Sequence, residues 1–192
     1  MRNIPFSPPD ITELEIQEVC EALRSGWITT GPRTKQLEKE LAEYCHVAKL
    51  VCLNSATAAE EMNLRVLGIG EGDEVLVPAY TYTATAAAAI HVGATVKFID
   101  SRKDSLEMDY DQMERAITDK TKVFMLNSPS NPTGMVYTKA ELEAIAEVCC
   151  RHNIYVIADE IYCNLVYDNN EFVSFASLGE DVKERTILVN GV

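Results

Sequence analysis

The chain has 192 residues, of which 47% are hydrophobic and 24% charged, with a formal net charge of −13. That length supports one sizeable domain core and falls short of two, and so acidic a chain repels phosphate backbones, which argues against nucleic acid as a partner. The first ten residues hold no apolar stretch of the signal-peptide kind. The longest run of small apolar residues, 84–90, is broken by Thr85 and is far too short to span a membrane. The sequence therefore reads as that of a soluble, cytoplasmic protein. Its six cysteines form no C-x-x-C pair or framework spacing, and its three histidines are scattered, so neither a disulfide scaffold nor a metal site is expected.

Residues 12–25 place Leu14, Ile16, Val19, Cys20 and Leu23 at helical spacing, and Thr12 with Glu15 has the form of a capping box. A turn-rich stretch, 26–32, precedes a second amphipathic helix over 35–45. From there strand-like and helix-like patterns alternate. Strands are expected at 50–53, 74–77, 95–99, 123–126, 155–158 and 186–189. Helices are expected at 57–67, 82–91, 111–117 and 139–150. This rhythm predicts an α/β fold, a three-layer α/β/α arrangement around a mainly parallel sheet.

Several strand ends carry chemistry. Ser55, Ala56 and Thr57 follow a strand and open a helix; small residues and hydroxyls there suit a phosphate, and suit equally an ordinary helix cap. The glycines at 68, 70 and 72 follow a helix and precede a strand. That is the reverse of the dinucleotide fingerprint, so they read as a helix stop and turn. Tyr80 and Tyr82 follow the 74–77 strand, where an aromatic ring can stack on a flat heterocycle or simply pack. Asn131 sits in a Pro- and Gly-braced loop, 127–134, and offers an amide donor; its bond to Pro132 is a candidate cis peptide. Asp159 ends the 155–158 strand, positioned to pair with a protonated ring nitrogen or to favour a helix N-terminus, and Tyr162 lies three residues on.

Two family resemblances run through these motifs. Residues of about 25–122 resemble the DegT-like nucleotide-sugar aminotransferases, through Gly26-Trp27-Ile28-Thr29-Thr30-Gly31-Pro32, through 54–59, through 68–75 with Val77-Pro78, and through Thr83-Ala84-Thr85. From about 127 to 192 the chain resembles the class I aspartate aminotransferases, through Asn131-Pro132-Thr133-Gly134, Asp159-Glu160-Ile161-Tyr162 and the closing segment 184–192. The two meet at a seam near 116–126. Both families have the pyridoxal-phosphate (PLP) fold type I, so the chain is expected to be its large domain, incomplete. Residues 1–30 would be an N-terminal helix and loop, 31–192 the PLP-binding domain, and the C-terminal small domain would be absent.

The resemblance implies the cofactor pyridoxal 5′-phosphate and a role for each residue. Ser55, Ala56 and Thr57 would hold the phosphate and Tyr82 would stack on the ring. Asn131 and Tyr162 would bond the ring 3-oxygen, and Asp159 would pair with the ring nitrogen. It implies an amino acid and a keto acceptor as substrates, the acceptor being a keto sugar by one half and a 2-oxo acid by the other, and a homodimer when complete. In class I enzymes the Schiff-base lysine follows directly after Asn-Gly-Val, where this sequence stops at Val192. Lys97, Lys103, Lys120, Lys122, Lys139 and Lys183 stand in none of the expected contexts, so the catalytic lysine is expected to be missing. An inactive fragment or pseudoenzyme that binds PLP non-covalently, or binds a partner subunit, is the alternative. Glu60 departs from the apolar residue usual in the family and calls the packing of its helix into question.

Overall fold

The protein is described here from a computed structural model covering residues 8–191; residues 1–7 and Val192, which belong to the expected N-terminal segment and closing motif, lie outside the described residues. Two compact units are present, Met1–Cys52 and Leu53–Val192. The division between them falls after Cys52.

The first unit is built on two helices, α1 (Glu13–Ser25) and α2 (Pro32–Tyr44). The capping box is formed: Thr12 N donates to the Glu15 carboxylate and Leu14 N to the Thr12 hydroxyl. Gly26 closes α1 in the left-handed conformation. Helix α2 starts at Pro32, earlier than the periodicity indicates, because proline's fixed φ and missing N–H suit the first helical position. A side chain at Gly31 would run into the Trp27 indole, whose Nε1 donates to the Thr30 carbonyl at 3.1 Å. Arg33 joins the helices by pairing with Glu18 and Glu21.

The second unit holds β1 (Glu74–Pro78), β2 (Thr95–Ile99), β3 (Thr121–Asn127), β4 (Tyr155–Asp159) and β5 (Thr186–Val189) in one sheet, ordered β2-β1-β3-β4-β5 with every pairing parallel. Successive strand residues face opposite sides, and both sides are apolar. Val75, Val77, Val123, Met125 and Ile157 pack with Leu64, Ala88 and Ala89 from α3 (Ala56–Val66) and α4 (Thr83–His91). Leu76, Phe124, Leu126, Val156 and Ala158 meet Met113 of α5 (Tyr110–Ala116) and Leu142, Ile145 and Cys149 of α6 (Lys139–Arg151). Phe175, in a 3₁₀ turn before the short α7 (Glu180–Lys183), closes that second core. These are the three expected layers. Gly68, at φ +73°, ends α3 and turns the chain toward β1, a conformation costly for residues with a Cβ.

One expected strand is not there. Residues 50–53 pair with none of the five strands, and Val51 and Leu53 are exposed. An apolar run becomes a strand only when a neighbour accepts its backbone hydrogen bonds, and residues 50–53 have no strand partner among the described residues. No helix among the described residues is long and apolar enough to cross a membrane.

Candidate active site at the strand ends

The order β2-β1-β3-β4-β5 reverses direction between β1 and β3, and ligands of open α/β sheets bind beyond the carboxyl ends of strands at such a point. A cavity of about 260 Å³ opens there. Six of the seven candidate residues line it: Ala56, Thr57, Tyr82, Asn131, Asp159 and Tyr162. Ser55, the seventh, is the N-cap of α3, accepting from Ala58 N at 3.1 Å. A capping hydroxyl accepts through its lone pair and keeps its hydrogen for another acceptor. The cap thus leaves the Ser55 hydroxyl hydrogen available to an anion. A larger depression, near α6 and α7, contains none of these residues.

Register brings the polar groups together. Asn127 and Asp159 are partners across the β3–β4 ladder, 32 residues apart in the chain but side by side in the sheet. Asn127 Nδ2 donates to the Asp159 carboxylate at 3.2 Å and to its carbonyl at 3.2 Å. Ile161 N donates to the other carboxylate oxygen at 3.2 Å. Burial raises the Asp159 carboxyl above the ordinary range, and the Ile161 N–H opposes that rise. On its other side Asn127 accepts from Asn131 N at 2.7 Å, which anchors the loop after β3. Asn131 Nδ2 then donates to the Tyr162 hydroxyl at 3.2 Å, so the amide and the phenol converge. The Ser128–Pro129 and Asn131–Pro132 peptides are both cis. Tyr82 immediately precedes α4, is more than half exposed, and lines the cavity.

Two site residues were not legible in the motifs. Asn127 opens the 127–134 loop, yet its role as the clamp of Asp159 depends on β3 pairing with β4. Glu60 lies one turn into α3, 2% exposed, and lines the cavity. The doubt it raised about that helix is answered by its direction: α3 forms in full and buries Leu64, while Glu60 turns to the polar strand ends. Thr85 of α4 donates to one Glu60 oxygen at 3.4 Å, and the other has no partner. Burial first, and the Asp159 charge second, push the Glu60 carboxyl up to about 7.

The site gathers an anion-ready helix start, a clamped carboxylate, a converging amide and phenol, and an aromatic face at the ends of a parallel sheet. With this fold it defines the large domain of a fold type I PLP transferase. The model of the DegT/DnrJ/EryC1/StrS aminotransferase family matches residues 9–161, running through the 116–126 seam, and the chain belongs to that family. It is 36% identical over 177 residues to the spore coat polysaccharide biosynthesis protein SpsC of Bacillus subtilis (strain 168), covering 92% of this chain and 43% of SpsC. It is 42% identical over 125 residues to an aspartate aminotransferase of Bacillus sp. (strain YM-2), covering 65% of this chain and 32% of that enzyme. The solved PLP form of Spr1654 from Streptococcus pneumoniae matches with a TM-score of 0.73 and 46% identity, over 83% of this chain and 43% of that one. The chain therefore spans less than half the length of these relatives.

Proposed function

We propose that this chain supplies the cofactor site of a pyridoxal-phosphate-dependent aminotransferase that moves an amino group from an amino acid to a keto acceptor. The observation that carries the reading is the convergence of Asp159, Asn131 and Tyr162 on the cavity beside the start of α3. The donor set fits the group. The first N–H groups of α3, with the Ser55 and Thr57 hydroxyls, suit a phosphate dianion. Asp159, held on both oxygens, presents negative charge to a ring nitrogen and keeps it protonated. Asn131 and Tyr162 donate toward a ring oxygen, and Tyr82 covers a ring face and excludes water. When bound, PLP supplies an electron sink for cleavage at an amino acid's α-carbon.

The acceptor is read as a nucleotide-linked keto sugar, on the strength of the family and of a relative named for polysaccharide biosynthesis. A 2-oxo acid is the second reading, favoured by the 42% identity to an aspartate aminotransferase. No lysine lines the cavity among the described residues, so by itself the 192-residue chain is read as a non-covalent binder.

Titration of the purified chain with PLP, followed by absorbance, tests this. Binding is expected to be saturable, to be competed by inorganic phosphate, and to weaken by about tenfold or more in Asp159→Ala, the scale of losing one charge-assisted bond. Borohydride reduction and peptide mapping are expected to label no lysine stoichiometrically. Binding that ignores both phosphate and Asp159→Ala would refute the site; one lysine labelled near stoichiometrically would refute the non-covalent reading.

A further inference from the structure

Glu60 has no place in the roles just described, yet it is the most deeply buried ionisable side chain lining the cavity. An apolar residue would fill the same space at less cost, because a buried carboxylate with an unpartnered oxygen loses its hydration without return. Among the described residues the cavity lining offers Glu60 no counter-charge. From the end of β4 it is faced by Asp159, and the cavity's other titratable groups are the phenols of Tyr82 and Tyr162. Helix α4 contributes only the Thr85 hydroxyl, and β5, which also packs on α3, carries no titratable side chain. The nearby Arg65 and His91 both bond Glu61 on the exposed side. No Lys, Arg or His lines the cavity among the described residues.

Two carboxyl groups thus share a site whose ligand, on the reading above, brings one ring cation to Asp159. We propose that Glu60 is a positioning residue for Asp159: the two carboxyls hold one proton, Glu60 carries it, and Asp159 is left as the single anion that a cationic ring nitrogen meets. The asymmetry follows from the contacts. Asp159 receives N–H donors on both oxygens, which favour its charged form. Glu60 receives one long hydroxyl contact and leaves its second oxygen bare. A neutral Glu60 also keeps the occupied site from burying a second, unmatched charge. The bare oxygen is itself buried and, as O–H, carries no charge to desolvate. This arrangement rests on the cofactor reading only for the identity of the cation; the shared proton is a property of the protein alone.

Carboxyl-carbon NMR of the labelled 192-residue chain reads the proton directly. Glu60 is expected to titrate near neutrality, and Asp159→Asn is expected to bring its midpoint down toward the ordinary carboxylate range. Binding of 4′-deoxypyridoxine 5′-phosphate, which lacks the aldehyde, reads the consequence. Relative to Glu60→Gln, the unaltered chain is expected to lose affinity by up to about tenfold per pH unit above the Glu60 midpoint. Glu60→Gln, a permanently neutral donor, is expected to keep the affinity the parent shows at pH 6. A Glu60 signal that titrates as an ordinary carboxylate, or that ignores Asp159→Asn, overturns the inference. Parallel pH profiles for the parent and Glu60→Gln do the same. Absence of binding in every variant at every pH would instead sink the cofactor reading, and the NMR titration would then decide the shared proton by itself.

Discussion

Glu160, next to Asp159 in the chain but not itself lining the cavity, offers a test of the fold's electrostatics. It is 4% exposed, accepts from Phe175 N at 2.7 Å, and so ties the end of β4 to the turn that closes one core. Burial, against the pull of the Phe175 N–H, raises its carboxyl from 4.5 to about 7. A carboxyl raised by folding binds its proton more tightly in the native state, so stability is greatest below about pH 4.5 as far as this group is concerned. Stability falls as pH climbs from there through about 7, and then levels off. At ~1.4 kcal/mol per pH unit of displacement the full loss is about 3 kcal/mol. Glu160→Gln keeps an oxygen for Phe175 N but cannot ionise. Urea denaturation at pH 5.5 and pH 8.5 is the assay. The variant is expected to gain up to about 2 kcal/mol on the parent in going from pH 5.5 to pH 8.5, since part of the full loss has already occurred by pH 5.5. Equal pH dependence in the two proteins would refute the reasoning, as would a parent that is more stable at pH 8.5.

Two further outcomes are expected. Asn127→Ala removes the acceptor for Asn131 N and a donor to Asp159, leaving a part-buried N–H unpaired; a loss of about 1–3 kcal/mol in urea denaturation is expected, with weaker PLP binding. An unchanged midpoint would show that the clamp contributes nothing. Thr138 forms a capping box with Glu141 at the start of α6, so Thr138→Ala is expected to cost about 1 kcal/mol, measured the same way, and to leave PLP affinity unaltered.

Local chemistry made much of the fold legible. The strands at 95–99 and 186–189 coincide with β2 and β5, and the Thr12–Glu15 box forms as its spacing indicates. Period-2 apolar runs and capping pairs act over a few residues, so they are readable without partners. The 50–53 stretch has the same apolar character and makes no strand, because strand formation depends on a neighbour. In the site, Asn131, Asp159 and Tyr162 were visible through motif resemblance, and they do converge. The Asn127 clamp was not visible, since it is created by the Asn127–Asp159 register across two strands.

Glu60 marks the division most clearly. Sequence alone determined that a helix begins close after Ser55 and that an acid, Glu60, stands in its second turn. It also determined the alternation of strand and helix, and the residue types available at each strand end. Only the tertiary structure decided that β3 lies between β1 and β4, that Asn127 faces Asp159, and that Glu60 points at the same cavity rather than at solvent. Helix starts and strand periodicity follow from hydrogen bonds and side-chain alternation within one segment. Sheet order and the burial of a carboxyl depend on which distant segments pack together, and on the cost of removing charge from water once they have.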